Sequence, residues 1–211
     1  MTLNTQKKYG KTALKILKCA TDLFSEKGFE GTIMDDLAEH CGVNKASIYY
    51  HFQDKAMLYE ICMTQLFKQV ADQVIDATSK ADSVKDKLKL FIQQFARSAY
   101  QNRQMPAALM REIAASGKNM PVPARQQMQR LLSDLKVILL EGKHQGVFRE
   151  VDPLVTHFMI IGSLSFHITS EPMRLAIQSE TKVDPTLDEA IDQVSQMIYQ
   201  AVLNPLENKN A

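Results

Sequence analysis

This chain of 211 residues has no excess of charge of either sign: 25 lysines and arginines face 24 aspartates and glutamates, for a formal net charge of +1. That excludes a global electrostatic claim on nucleic acid, membrane or acidic substrates, so any such partner must be met by a local patch. Cysteine is scarce. Cys19, Cys41 and Cys62 are odd in number, widely spaced and without a C-x-x-C pattern. A disulfide framework and a cysteine zinc site are thereby excluded, leaving reduced, packed thiols as in a cytoplasmic protein. No apolar run reaches the ~20 residues of a membrane span, and "FMIIGSLSFHI" at 158–168 is the most apolar stretch. Lysines interrupt the amino end where a signal peptide needs an apolar core. The expected location is the cytoplasm, with no membrane partner. Enzyme signatures are missing as well: no G-x-S-x-G, no H-E-x-x-H, no glycine loop to cradle phosphate, no cysteine plausibly paired with a histidine. Neither catalysis nor a cofactor is expected. His157 and His167 are ten residues apart, a spacing that does not place two metal ligands on one helical face.

Glycine and proline are few, 8 and 7, and what remains keeps a three-to-four-residue apolar rhythm with no strand alternation and no internal repeat. The chain reads as all-α. Leu14, Leu17, Ala20 and Phe24 mark a first helix that Gly28 can end in a left-handed C-cap. Thr32 and Asp35 have the spacing of an N-cap and its reciprocal partner for a second helix, with Met34, Leu37, Ala38 and Cys41 inward and Gly42 as the stop. Asn44 can cap a short third helix whose Ile48 and Phe52 face the same way. Gln53-Asp54 restarts the chain into a long fourth helix to about residue 77. Further helices are expected around Leu88–Phe95, from Pro106 to "SGKN", after Pro121 and Pro123, and from an Asp152-Pro153 cap to Ser170. A looser stretch holding Pro172 and Pro185 follows, then a Thr186–Glu189 capping box opens a last helix through Ile191, Val194, Ile198 and Val202.

Lysines 7, 8, 11, 15 and 18 all precede the first acid, Asp22, so the amino end is locally basic. Two short helices about a glycine turn, the second carrying polar tips, describe a helix-turn-helix. With Ile48 and Phe52 inward, the ~100° step per residue turns Ala46 and Tyr50 outward, flanked by Lys45 and Tyr49 on one side and Ser47 on the other. Such a helix can enter the major groove of DNA. Lys45 can donate to guanine O6 and N7, Ser47 to several base edges, and the Ala46 methyl can meet a thymine methyl. Tyr49, Tyr50, His51 and Lys55 carry donors suited to phosphates, and Thr32 offers a hydroxyl at a helix N-terminus. The bland alternatives are a packed Tyr49 or Tyr50 and a His51 that caps a carbonyl. Asp35, Asp36 and Glu39 place acid beside this surface, which suits phosphate only if they face caps or solvent.

The segment "GTIMDDLAEHCGVNKASIYYHFQDKAML" resembles the DNA-binding region of the tetracycline-repressor (TetR) family of bacterial transcription regulators. Thr32, Leu37-Ala38, Gly42-Val43, Tyr49, His51-Phe52, Lys55 and Leu58 fall on that family's pattern. Asn44 stands where serine is commonest, and Cys41 takes a usual alanine or leucine position. The resemblance implies phosphate contact by Thr32, Tyr49, His51 and Lys55, and base readout near Lys45, Ala46 and Ser47 beside the Asn44 cap. It also implies a fold of two parts. A three-helix DNA-binding domain, 1–55, would precede a larger helical domain, 56–204, that binds an effector and dimerises, with a flexible tail at 205–211. The partners it implies are an operator in double-stranded DNA, a small-molecule effector and a second copy of the chain.

For the effector, Phe91, Phe95, Tyr100, Met105, Met110, Met128, Met159 and Phe166 can line an adaptable, mostly apolar cavity; the same residue types at helical spacing also serve as plain core. For the dimer, the helices at 153–170 and 186–203 are the candidates, through Leu154, Phe158, Ile161, Gly162, Ile191, Val194 and Ile198. The first is apolar nearly all round and must be covered on several sides, by a second copy or by its own chain. The expected function is a repressor that leaves its operator when an apolar or amphipathic effector binds. The rival is a helical adaptor whose amino-terminal module makes protein contacts.

Overall fold

The computed structural model describes residues 9–177 and 184–205. Lys7, Lys8 and the expected tail beyond Pro205 lie outside them. Among the described residues there are ten α-helices: α1 (Lys11–Gly31), α2 (Met34–Cys41), α3 (Lys45–Phe52), α4 (Lys55–Thr78), α5 (Val84–Gln101), α6 (Gln104–Ala114), α7 (Val122–His144), α8 (Pro153–Thr169), α9 (Glu171–Ile177) and α10 (Leu187–Val202). No strand is present among them, only an isolated antiparallel bridge between Phe148 and Leu203. The all-α class holds.

Local chemistry sets most helix ends. Asn44 Oδ1 accepts from the Ala46 N–H at 2.9 Å and starts α3. Asp152 Oδ1 caps α8 through the Val155 N–H at 2.9 Å, with Pro153 in the first turn, where a missing N–H costs nothing. Thr186 and Glu189 form the reciprocal capping box of α10. Gly42 closes α2 at φ 57, ψ 49, the left-handed conformation that glycine reaches without a Cβ clash. Pro172 does not loosen the chain as expected. It sits in the first turn of α9, a position that tolerates proline.

Two compact units divide the described chain. One takes the chain up to Gln69 together with Gln104–Gln127; the other takes Val70–Arg103 and the chain from Met128 onward. Helices α4 and α7 therefore contribute residues to both.

In the first unit α1 packs against α2, α3 and α6. Ile16, Leu17, Ala20, Phe24, Leu37, Ile48, Phe52 and Leu58 are fully buried there. Full burial of one such side chain is worth about 1.5–3 kcal/mol, so this core fixes α3 firmly. Tyr59 sits among Phe24 and Phe29, its ring at 4.9 and 5.0 Å. Its hydroxyl donates to the buried Glu112 Oε1 at 2.6 Å and ties α6 to α4.

In the second unit α8 and α10 pack on each other and on α5. Phe91, Phe95, Phe148, Ile160, Leu164, Ile191 and Ile198 fill its interior.

Candidate nucleic-acid interface

The α3 helix buries one stripe and exposes another. Ile48 and Phe52 are wholly inside the first unit, whereas Tyr50 is 84 % and Tyr49 41 % exposed. Ala46 is exposed, and Lys45, Ser47 and His51 are half-buried. The expected outward set is therefore displayed together, and Tyr50 is not core. Its ring stands edge-on to His51 at 5.1 Å, so the two rings brace one another at the end of the helix.

Lysines meet the acids that looked out of place. Lys45 Nζ lies 2.8 Å from Asp35 Oδ1 and 2.9 Å from Oδ2, and this contact holds the ammonium above the ordinary lysine range. Lys27 Nζ is 3.5 Å from Asp36. Lys15 Nζ donates to the Gly42 carbonyl at 3.3 Å, placing a positive charge at the turn between α2 and α3. The Lys55 ammonium stands 4.4 Å above the Phe29 ring, a contact that holds a cation at the surface without neutralising it.

Thr32 requires a correction. It is not the cap of α2; Ile33 holds that place without a side-chain cap. Gly28, at φ 73, breaks the run of α1 and turns its carbonyl toward Thr32, whose buried hydroxyl donates to it at 2.7 Å. Asp35, freed from any reciprocal role, reaches across to Lys45. The Thr32 hydroxyl is spent inside the fold and is not presented to a phosphate.

The residues expected around an effector are divided between the two units. Phe91 and Phe95 are core of the second unit, and Met105 is core of the first. Met110 and Met128 are half-buried, one in each unit. Met159 and Phe166 point outward from α8, each more than half exposed. Among the described residues nothing covers that side of the helix, so these two do not line an interior cavity of their own unit. Tyr100 borders a cavity of about 290 Å3, shared with His167, Glu171, Arg174, Asp184 and Leu187. Its lining mixes charge with apolar surface: Arg174 Nε pairs with Asp184 at 2.7 Å and Arg103 pairs with Glu171, beside Tyr100, Ile168, Pro185 and Leu187.

The dimer set also divides. Leu154 and Phe158 are about half exposed on α8, in one stripe with Val155, Met159 and Phe166. A Cβ added at Gly162, on the same helix, would meet nothing within 4 Å. Ile161, Ile191 and Ile198, by contrast, are buried inside the chain itself, and Val194 is half-buried. Those three isoleucines are removed from the surface set, since a side chain already out of water has no area left to bury. Among the described residues no cluster of metal-ligating groups occurs, and no helix is long and apolar enough to cross a membrane.

A buried-face, exposed-face helix seated after a left-handed glycine turn and packed on α1 and α2 is the arrangement of a helix-turn-helix protein of the DNA-binding class. Residues 16–61 match the family model of bacterial regulatory proteins, tetR family, and residues 85–202 match the tetracyclin repressor-like C-terminal domain. The chain belongs to the TetR family of transcription regulators.

Among curated relatives, it is 37 % identical over 81 residues to the biofilm operon icaADBC HTH-type negative transcriptional regulator IcaR of Staphylococcus aureus, which is 38 % of this chain and 44 % of that protein. The chain thus spans less than half the length of that relative. Among solved structures, FadR from Bacillus subtilis in complex with stearoyl-CoA superposes with a TM-score of 0.68 at 18 % identity, over 88 % of this chain and 97 % of that one. AibR in complex with isovaleryl coenzyme A and operator DNA superposes at 0.71 and 19 % identity, over 90 % and 98 %. At those identities the likeness concerns the fold.

Proposed function

We propose that this regulator is a repressor that binds a palindromic operator as a homodimer and is released by a small amphipathic effector. The observation that carries the DNA reading is the exposed Tyr50 on a helix whose opposite stripe is fully buried. A tyrosine ring left in water on a rigidly seated helix forgoes burial that a core helix would use. Lys45, Ala46 and Ser47, after the Asn44 cap, meet base edges, while Tyr49, Tyr50, His51 and Lys55 meet phosphates at the groove edge. The operator-bound AibR relative supports a DNA partner, and the negative regulator IcaR supports repression.

Two titrations against an operator duplex and a scrambled one check these roles. Lys45→Ala is expected to relax preference at one position by about 1–3 kcal/mol. Lys55→Ala is expected to weaken both duplexes together and to make the salt dependence shallower by about one. If Lys45→Ala keeps full sequence preference, its base-reading role is wrong.

For the dimer, the reading rests on the apolar stripe of Leu154, Val155, Phe158, Met159 and Phe166 on α8. A second copy covering it would give the protein the two α3 helices that a palindromic operator requires, with half-sites about one duplex turn or a multiple of it apart. Phe158→Glu is expected to yield monomers in sedimentation equilibrium and to lose operator affinity. A dimeric variant with unchanged affinity would move the interface elsewhere.

An amphipathic effector is supported by the fold relatives determined with stearoyl-CoA and isovaleryl coenzyme A. To act, it must favour the conformation whose α3 helices no longer fit the half-sites, because equal affinity for both states shifts nothing. The α4 helix, which starts beside the interface and contributes to both compact units, is the natural lever.

A further inference from the structure

We infer that Asp35 is a specificity-determining residue of the DNA interface: by holding the Lys45 ammonium it keeps that charge from indiscriminate phosphate contact and reserves it for base edges. The inference rests on the DNA reading proposed above.

The geometry is a two-oxygen grip. Lys45 Nζ lies 2.8 Å from Asp35 Oδ1 and 2.9 Å from Oδ2. A lysine ammonium has three donors and no acceptor. Both oxygens lie on one side of the ammonium and share a donor there, which leaves donors on the other side for a further acceptor such as guanine O6 or N7.

A phosphate is a poorer rival in this setting. To approach Lys45 it must come up to an acid that is itself largely exposed, with a side chain at 71 % of its full accessibility. Any gain from neutralising the phosphate is offset by like-charge repulsion from Asp35. Non-specific binding draws almost wholly on phosphate contacts, so the acid depresses it selectively. Base contact through a donor on the far side of the ammonium leaves the pair intact. The two residues come from different helices, Asp35 from α2 and Lys45 from α3. The pair therefore also fixes where the lysine tip points relative to the support.

A purely structural role for Asp35 exists beside this one. It lies in the first turn of α2, where an acid favours the helix dipole. That role would move stability and leave salt dependence and sequence preference untouched.

The experiment measures binding of wild type, Asp35→Asn, Asp35→Glu, Lys45→Ala and the Asp35→Asn/Lys45→Ala double variant. Each is titrated over a salt series against two duplexes, one selected by the wild type from a random pool and one scrambled. Asp35→Asn is expected to tighten binding to the scrambled duplex by up to about five-fold. Its salt slope there should steepen by about one. Affinity for the selected duplex should change by less than about two-fold, so the ratio between duplexes falls. Asp35→Glu, which keeps the pair, should keep the wild-type ratio. In the Lys45→Ala background Asp35→Asn should change the ratio no further.

Two results would overturn the inference: an unchanged ratio in Asp35→Asn, whether from no gain or from equal gains on both duplexes, or the same gain with and without Lys45. The last would make Asp35 a general repulsive charge. If the wild type prefers no duplex at all, the DNA reading itself fails, which is a separate and recognisable outcome.

Discussion

Lowering the pH from 7.5 to 5 is expected to cost the folded protein about 2 kcal/mol through His157 alone. His157 is buried on α8, its Nδ1 has no hydrogen-bond partner among the described residues, and burial lowers its pKa from 6.5 to about 4. Between those two values the unfolded chain takes up a proton that the folded chain refuses. Stability is thus fully present above pH 6.5 and falls as the pH drops through the window, by about 3 kcal/mol once both states are protonated. His167 is shifted the same way, by burial first and by Arg174 second, and adds to the trend. The readout is the urea-unfolding free energy of wild type and His157→Leu at both pH values. The variant should lose about 2 kcal/mol less than wild type on acidification. Equal losses in the two proteins would mean that this imidazole is not held neutral by its surroundings.

Gly142→Ala should destabilise the second unit by about 3 kcal/mol. Gly142 lies on α7, and a Cβ there would stand 2.0 Å from Phe148 Cδ2 and 2.5 Å from Cε2. Phe148 is fully buried and cannot easily retreat, because its N–H and that of Val147 both donate to the Gly142 carbonyl, at 3.0 and 2.9 Å. The neighbouring Arg149 N–H is held by the Val202 carbonyl at 2.8 Å, which anchors the same turn to α10. At roughly 2–4 °C per kcal/mol for a protein of this size, the thermal midpoint should fall by about 6–12 °C. Adding Phe148→Leu should recover part of the loss by making room. An unchanged midpoint in the single variant would show that the ring has space the packing does not reveal.

What the sequence made legible was local. Gly42, Asn44, Asp152 and the Thr186–Glu189 box each act within a few residues, so spacing alone predicts them. Ile48 and Phe52 could be assigned to the core because a two-turn helix has few ways to face a support. Apart from Pro172, the failures required knowledge of a partner element. Thr32 has the composition of a cap, but the left-handed break at Gly28 brings a carbonyl to it from the preceding turn. The Asp35–Lys45 grip joins residues ten apart across the α2–α3 turn, where no periodicity rule reaches. On α8, apolar nearly all round, periodicity could not say which stripe meets the chain's own core. Ile161 proved interior and Met159 and Phe166 exterior for that reason alone.

The most direct test of the account is to let the purified protein select duplexes from a random pool and then to measure the winner against a scrambled control over a salt series. The account predicts an inverted repeat with half-sites about one helical turn or a multiple of it apart. It should be bound at least ~1,000-fold more tightly than the control, with an affinity that drops steeply as salt rises. A protein that enriches no sequence, or that holds every duplex equally, would contradict it.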